Sequence, residues 1–300
     1  MEKSILLPFR MTVQEKGLEV YGINVYQKGN GEVSHRFRSD DRENIYSASK
    51  TFTSVAVGMC RDDGLLKLED RVISYFPEYA DIASPGTEDI TLRDLLHMSS
   101  GKEIHRITEP HEDWARVFLR LPLDSQPGTK FFYSNACTYM LGRVVEKVSG
   151  KNVRDFLMPR LFEPFGFFNP QWHTCPGGHT IAATELYLRT DELAQLGRLL
   201  LHKGERDGKR LLSEDYVNLM QTDIVPCDKT TNDDPESCAG YGYQVWKCTP
   251  GCFRADGLYG QFSVVVPELD AVVTVTSHRE KNANDILRAI YEDIFPLLRR

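Results

Sequence analysis

The stretch QFSVVVPELDAVVTVTS, residues 261–277, limits the possible folds more than any other. Two runs dense in Val and Thr flank Pro267-Glu268-Leu269-Asp270, which is turn material. So short a turn joins antiparallel neighbours only, because parallel strands need a crossover of roughly a dozen residues or more. YGYQVW, residues 241–246, adds a strand upstream. At the other end of the chain LEVYGINVYQ (residues 18–27) alternates. KGNGE turns at Asn30-Gly31, and VSHRFR returns, so a hairpin is predicted there too.

Between the two strand-rich ends lie helical patterns joined by Pro/Gly loops. Phe52, Val55, Ala56 and Met59 fall at i, i+3, i+4 and i+7, one apolar face of a helix over Ser47–Asp62 that Gly64 ends. NACTYMLGRVVEKVSG stops at Gly150, TDELAQLGRLLLHKG runs from a Thr190 cap to Gly204, and SEDYVNLM has a Ser213 cap. A last helix from about Asn284 carries Ile286, Leu287, Ile290 and Ile294 on one face. The expectation is a single α+β domain. An antiparallel five-stranded sheet drawn from both chain ends (residues 1–63 and 239–300) is flanked by helices, with an inserted helical subdomain (64–238). A site is expected in the cleft between them.

With a net charge of −7 and no basic stripe, nucleic acid is not an expected partner. No window approaches the roughly 20 apolar residues of a membrane span. The N-terminal apolar run, Ile5 to Pro8, is too short for a signal segment, so a cytoplasmic location is expected. Seven scattered cysteines suit reduced thiols. Only Cys248 and Cys252 are close. They could form a local disulfide or half a zinc site, but no further pair completes four ligands, so no metal is expected.

Chemistry enters with ENIYSASKTFTS, residues 43–54. Residues three apart share a helix face, so Ser47 and Lys50 can touch. A serine hydroxyl needs a base, and a lysine serves as one only when burial or a nearby positive charge lowers its pKa. The Ser47 N–H, at the helix start, can also stabilise an oxyanion. Alone, such a pair is common, and a capping Ser with a solvated Lys explains it equally well. A second group changes the weighing: Tyr133-Ser134-Asn135 stands just before a helix. A tyrosine beside a cationic lysine is expected to have a lowered pKa and to shuttle protons. Asn135 can bond Lys50 and a substrate carbonyl, or act simply as the helix cap.

Ser47–Lys50 followed by Tyr133-Ser134-Asn135 resembles the serine β-lactamase and penicillin-recognising superfamily. The likeness is nearest to its class C branch, with esterases, D-aminopeptidases and 6-aminohexanoate-oligomer hydrolases. DGLLKLEDRVISYFPEY, ITLRDLLHMSSG, PGTKFFYSN, LFEPFGF and RADGLYGQFSVVVPELDAVV match in order. The resemblance implies a serine hydrolase that forms an acyl-enzyme on a small amide or ester without a cofactor. Ser47 would be the nucleophile, Lys50 and Tyr133 would move its proton, and Asn135 would orient the acyl group. It also implies a third motif, a cationic residue, a small residue and Gly; here those positions are Ala255-Asp256-Gly257, with the Leu258 N–H as second oxyanion donor. Ala255 cannot hold a substrate carboxylate, and Asp256 would repel one or welcome an ammonium group. Arg254, one residue away, is expected to face opposite to Ala255. A true β-lactamase or D-Ala carboxypeptidase is one alternative, and a penicillin-binding sensor with little turnover is another. Elsewhere, His97 is expected to pack in a helix, and Trp172, Trp246 and Tyr241 to be core or rim. His173 and His179 are candidates to line the cleft, and Thr230–Ser237 is a candidate loop over it.

Overall fold

A computed structural model describes residues 1–227 and 234–298. Residues 230–233 of the loop expected over the site lie outside the described residues. The strands are β1 (Val20–Gln27), β2 (Gly31–Arg36), β3 (Glu43–Asn44), β4 (Tyr187–Leu188), β5 (Glu205–Arg206), β6 (Lys209–Arg210), β7 (Trp246–Lys247), β8 (Phe253–Gly257), β9 (Gln261–Val266) and β10 (Ala271–Ser277). The α-helices are α1 (Leu7–Lys16), α2 (Ser49–Asp62), α3 (Leu92–Leu96), α4 (Trp114–Arg120), α5 (Asn135–Ser149), α6 (Val153–Leu157), α7 (Thr190–Leu201), α8 (Glu214–Thr222) and α9 (Asn284–Ala289).

The main sheet has the order β2-β1-β10-β9-β8-β7, antiparallel throughout. Four of the five expected strands are β1, β2, β9 and β10; of YGYQVW only Trp246 lies in a strand, the two-residue β7 at the edge, and β8 beside it makes the sixth. The strand pair that joins the two chain ends is β1–β10, with Val25 opposite Val273. Alternation sends Ile23, Val25, Val264 and Val273 to one face, where Phe9 of α1 and Ile286 and Ile290 from the C-terminal helical segment cover them. The other face carries Ser263, Thr274 and Thr276 and lies close under α7. A Cβ on Gly197 would stand 2.5 Å from Ser263 Oγ. The helix α1 had no counterpart in the expected strand-first order, because its apolar positions are few and Pro8 hides them; Pro8 sits in the first turn, where a missing N–H costs nothing.

Helix α2 is buried on all sides from Ser49 to Cys60, as befits a helix at the centre of the larger apolar cluster. The strand β3 pairs with β4, and Ile45 N–H donates to Leu186 O at 2.9 Å. This pairing brings Ile45, just before the turn that carries Ser47, against the segment 181–188. Helix α5 ends at Gly150 in the left-handed region (φ 70°), as expected. Its cap, however, is Ser134, whose side chain accepts from Cys137 N–H, so Asn135 is free for other work. Thr190 is likewise the first residue of α7 and not its cap; its hydroxyl bonds Thr276 at 2.6 Å. No helix among the described residues is long and apolar enough to cross a membrane.

Candidate active site

The turn that carries Ser47 departs from a simple helix start. Tyr46–Ala48 form a 3₁₀ turn before α2, and Tyr46 takes φ 47°. A bulky residue in the left-handed region is strained, and such strain gathers at functional sites. Its N–H is held by Asn44 Oδ1 at 2.7 Å, and its ring packs edge-on against Tyr259 at 5.1 Å. The turn leaves Ser47 at the N-terminal end of α2, partly exposed, with Lys50 one turn below it and only 1% exposed.

Three oxygens surround Lys50 Nζ: Ser47 Oγ at 2.9 Å, Asn135 Oδ1 at 2.6 Å and the Ala183 carbonyl at 2.9 Å. Burial drives the Lys50 pKa down to about 7, against the pull of the Asp256 charge, which raises it. A neutral amine has two N–H donors and one lone pair. Asn135 Oδ1 and Ala183 O are acceptors only, so they take both donors. The lone pair is then left facing Ser47, whose O–H can donate to it. Fixing Asn135 Oδ1 on Lys50 also turns the Asn135 NH₂ outward. The Ala183 carbonyl is aimed by a tight turn in which Ala182 takes φ 63° and Ala183 N–H donates to Ile181 O at 2.6 Å. Thr53, one turn further along α2, holds the Ala182 carbonyl at 2.9 Å.

Tyr133 closes the group from the other side. Lys50 Nζ stands 4.9 Å from its ring centroid, and its hydroxyl lies toward the Ser47 side chain, which acts to lower its pKa. Trp246 and Tyr241 pack against the ring at 5.4 and 6.0 Å. The expected lowering of the Tyr133 pKa is reversed. Burial pushes the phenol well above its ordinary value near 10, more than Ser47 lowers it, and the Asp256 charge adds to the rise. Tyr133 therefore keeps its proton at neutral pH, and the amine is the group fit to be the base. The segment is fastened by Ser134 Oγ to Ile104 O at 2.6 Å and Asn135 N–H to His105 O at 2.6 Å.

The strand β8 completes the arrangement. A Cβ on Gly257 would stand 2.2 Å from Ile45 O, so β8 runs directly against the start of the turn that carries Ser47. The β8–β9 ladder ends at the pair Gly257–Gln261, which leaves the next N–H, that of Leu258, outside the ladder. We expect Gly257→Ala to lower kcat/KM for an activated ester by about 100-fold or more, because displacing reacting groups by about 1 Å costs that much. Circular dichroism of the variant would check that the sheet still forms.

Asp256 is not the free charge that the sequence suggested. Arg254 and Asp256 lie two apart on β8, hence on one face, and Arg254 Nε donates to Asp256 Oδ2 at 2.7 Å. Arg254, 2% exposed, also reaches Glu236, the Lys247 carbonyl and Cys248 Sγ. Opposite charges at spacing two on a strand were the signal that would have found this pair. Burial raises the Asp256 pKa and Arg254 opposes it. Because the Asp256 charge holds the Lys50 pKa up, Asp256→Asn should move the acid limb of the pH–rate profile to lower pH; a limb that stays in place would separate the two groups.

His173 and His179 do not join the site: they bond Glu185 and Glu146, at 2.9 and 2.8 Å. His97 is packed as expected, with Nε2 2.9 Å from Asp223 O. A cavity of about 180 Å³ opens beside Asn135, walled by Ile107, Trp114, Tyr139, Ile181 and Ala183. These residues come from four separated segments, so no sequence pattern marks them.

The family model described as Beta-lactamase matches residues 13–294. Among curated proteins, a lovastatin esterase of Penicillium rubens is 29% identical over 188 residues, covering 52% of this chain and 47% of the esterase. Penicillin-binding protein 4 of Amycolatopsis lactamdurans is 24% identical over 288 residues, covering 83% of this chain and 74% of that protein. Among solved structures, the octameric penicillin-binding protein homologue from Pyrococcus abyssi superposes with a TM-score of 0.77 at 20% identity, covering 97% of this chain and 77% of the other. The chain spans about half the length of the esterase it matches.

Proposed function

Since the chain belongs to the Beta-lactamase family, we propose that it is a serine hydrolase that forms an acyl-enzyme on a small amide or ester. The observation that carries this reading is the set of partners around Lys50, whose two acceptors leave the amine lone pair to Ser47. Ser47 attacks the carbonyl as Lys50 takes its proton. The N–H groups of Ser47 and Leu258 hold the oxyanion. Tyr133, still protonated, donates to the leaving group and takes back the proton that Lys50 received from Ser47. Asn135 offers its NH₂ to the acyl side, and the acyl group occupies the cavity walled by Trp114 and Tyr139. A water that gives its proton to Lys50 then attacks the acyl-enzyme and releases the acid.

Esters and amides without a carboxylate suit the site better than β-lactams. Ala255 bears no charge, and the Arg254 guanidinium is already bound to Asp256 and Glu236. The sheet subdomain (1–63 and 239–300) and the helical subdomain (64–238) are proposed as the two walls of the cleft. The test is a pulse of fluorophosphonate followed by mass spectrometry. A covalent adduct on the peptide carrying Ser47 is expected, and an unlabelled Ser47 rules the reading out. Running a cephalosporin beside it discriminates the sensor alternative, which requires an adduct that persists.

A further inference from the structure

Apart from the catalytic group, the molecule holds two thiols placed against each other. The ladder of β7 and β8 pairs Trp246 with Arg254 and Lys247 with Phe253, so Cys248 and Cys252 come next in register. Cys248 N–H donates to Cys252 O at 2.8 Å, and Gly251, at φ 84°, closes the turn with its N–H on Cys248 O at 3.1 Å. Both cysteines are free and buried, 1% and 2% exposed. Residues directly opposite on antiparallel strands have Cα atoms about 4.5–5.5 Å apart. A disulfide needs about 4.4–6.8 Å. The hairpin therefore permits the bond with little backbone movement.

The pair is wired to the site by two contacts. Cys248 Sγ lies 3.6 Å from Arg254 Nη1, and Arg254 holds Asp256, whose charge acts on Lys50. Trp246, two residues before Cys248, packs on Tyr133. We propose that Cys248 and Cys252 form a reversible dithiol–disulfide pair whose closure alters the site at Ser47. Burial alone would raise the Cys248 thiol, but the Cys252 thiol and the Arg254 charge bring it down to about 7. This makes Cys248 the attacking thiolate. Access comes by opening of a short edge strand whose turn, Thr249 to Gly251, is exposed. The oxidant is a low-molecular-weight disulfide. The Cys248 thiolate displaces one thiolate from it to give a mixed disulfide. Cys252, losing its proton, then attacks Cys248 Sγ and expels the second. The two cysteines are oxidised by two electrons, and the reagent becomes two thiols.

The experiment treats the whole protein with oxidised glutathione and reads peptide masses and ester hydrolysis. A linked 248–252 peptide lighter by two hydrogens is expected, with kcat falling about fivefold or more and recovering in dithiothreitol. Cys248→Ser and Cys252→Ser should each keep basal hydrolysis and lose the response. The mass reading does not depend on the hydrolase reading, whereas the rate does. Absence of the linked peptide overturns the proposal. So does a linked protein whose hydrolysis is unchanged, or a response that persists in Cys248→Ser.

Discussion

Ser47→Ala is expected to lower hydrolysis of an activated ester by roughly 10,000-fold or more, because removing the nucleophile of a group that acts as a unit leaves only binding and oxyanion stabilisation. The loss should appear in kcat, with no burst of product in stopped-flow traces. The side chain is small and partly exposed, so the melting temperature should stay near that of the parent. The variant thus separates chemistry from folding. Substantial turnover remaining in it would move the reaction away from this serine altogether.

Lys50→Met should cost roughly 100- to 10,000-fold, the range for removing a general base. The pH dependence gives the sign. The base works neutral, and its pKa lies at about 7. In the parent protein kcat/KM should therefore rise with pH and level off above about 7, falling about tenfold per unit below it. The variant should lose that limb. Stability should move the other way. The folded pKa is below the ordinary lysine value near 10.5. Between the two values the unfolded chain binds more protons, so stability rises with pH there, and below about 7 the full penalty of burying a cation applies. Methionine removes that penalty, which amounts to several kcal/mol, while leaving Asn135 Oδ1 and Ala183 O without their donor, at about 1–3 kcal/mol each. A melting temperature at pH 6 equal to or above that of the parent is the expected result. A flat pH profile in the parent would argue against the amine as base.

Much of this could be seen before any coordinates. The three-residue spacing of Ser47 and Lys50 is a local helical relation, and the strands of the last quarter announce themselves by composition. Other parts could not be seen. The Ala183 carbonyl reaches Lys50 across 133 residues and carries no side-chain signature. The fate of the Tyr133 proton depends on how deeply the ring is covered, which spacing does not report. Asn135 looked like a cap because it stands at a helix start, yet the neighbouring Ser134 does that work. Asp256 looked isolated only until Arg254 was counted two positions before it on the same strand.

The β1–β10 pairing has a consequence for synthesis. While a ribosome is still translating the middle of the chain, Ile23 and Val25 are already made, and the strand that will lie beside them does not yet exist. The hairpin partner β2 covers one edge of β1 at once, but the nascent protein must carry the other edge unpaired for some 250 residues, a state prone to clumping and suited to chaperone capture. Cells that make it slowly, or at low temperature, should recover more of it in native form than cells driven hard.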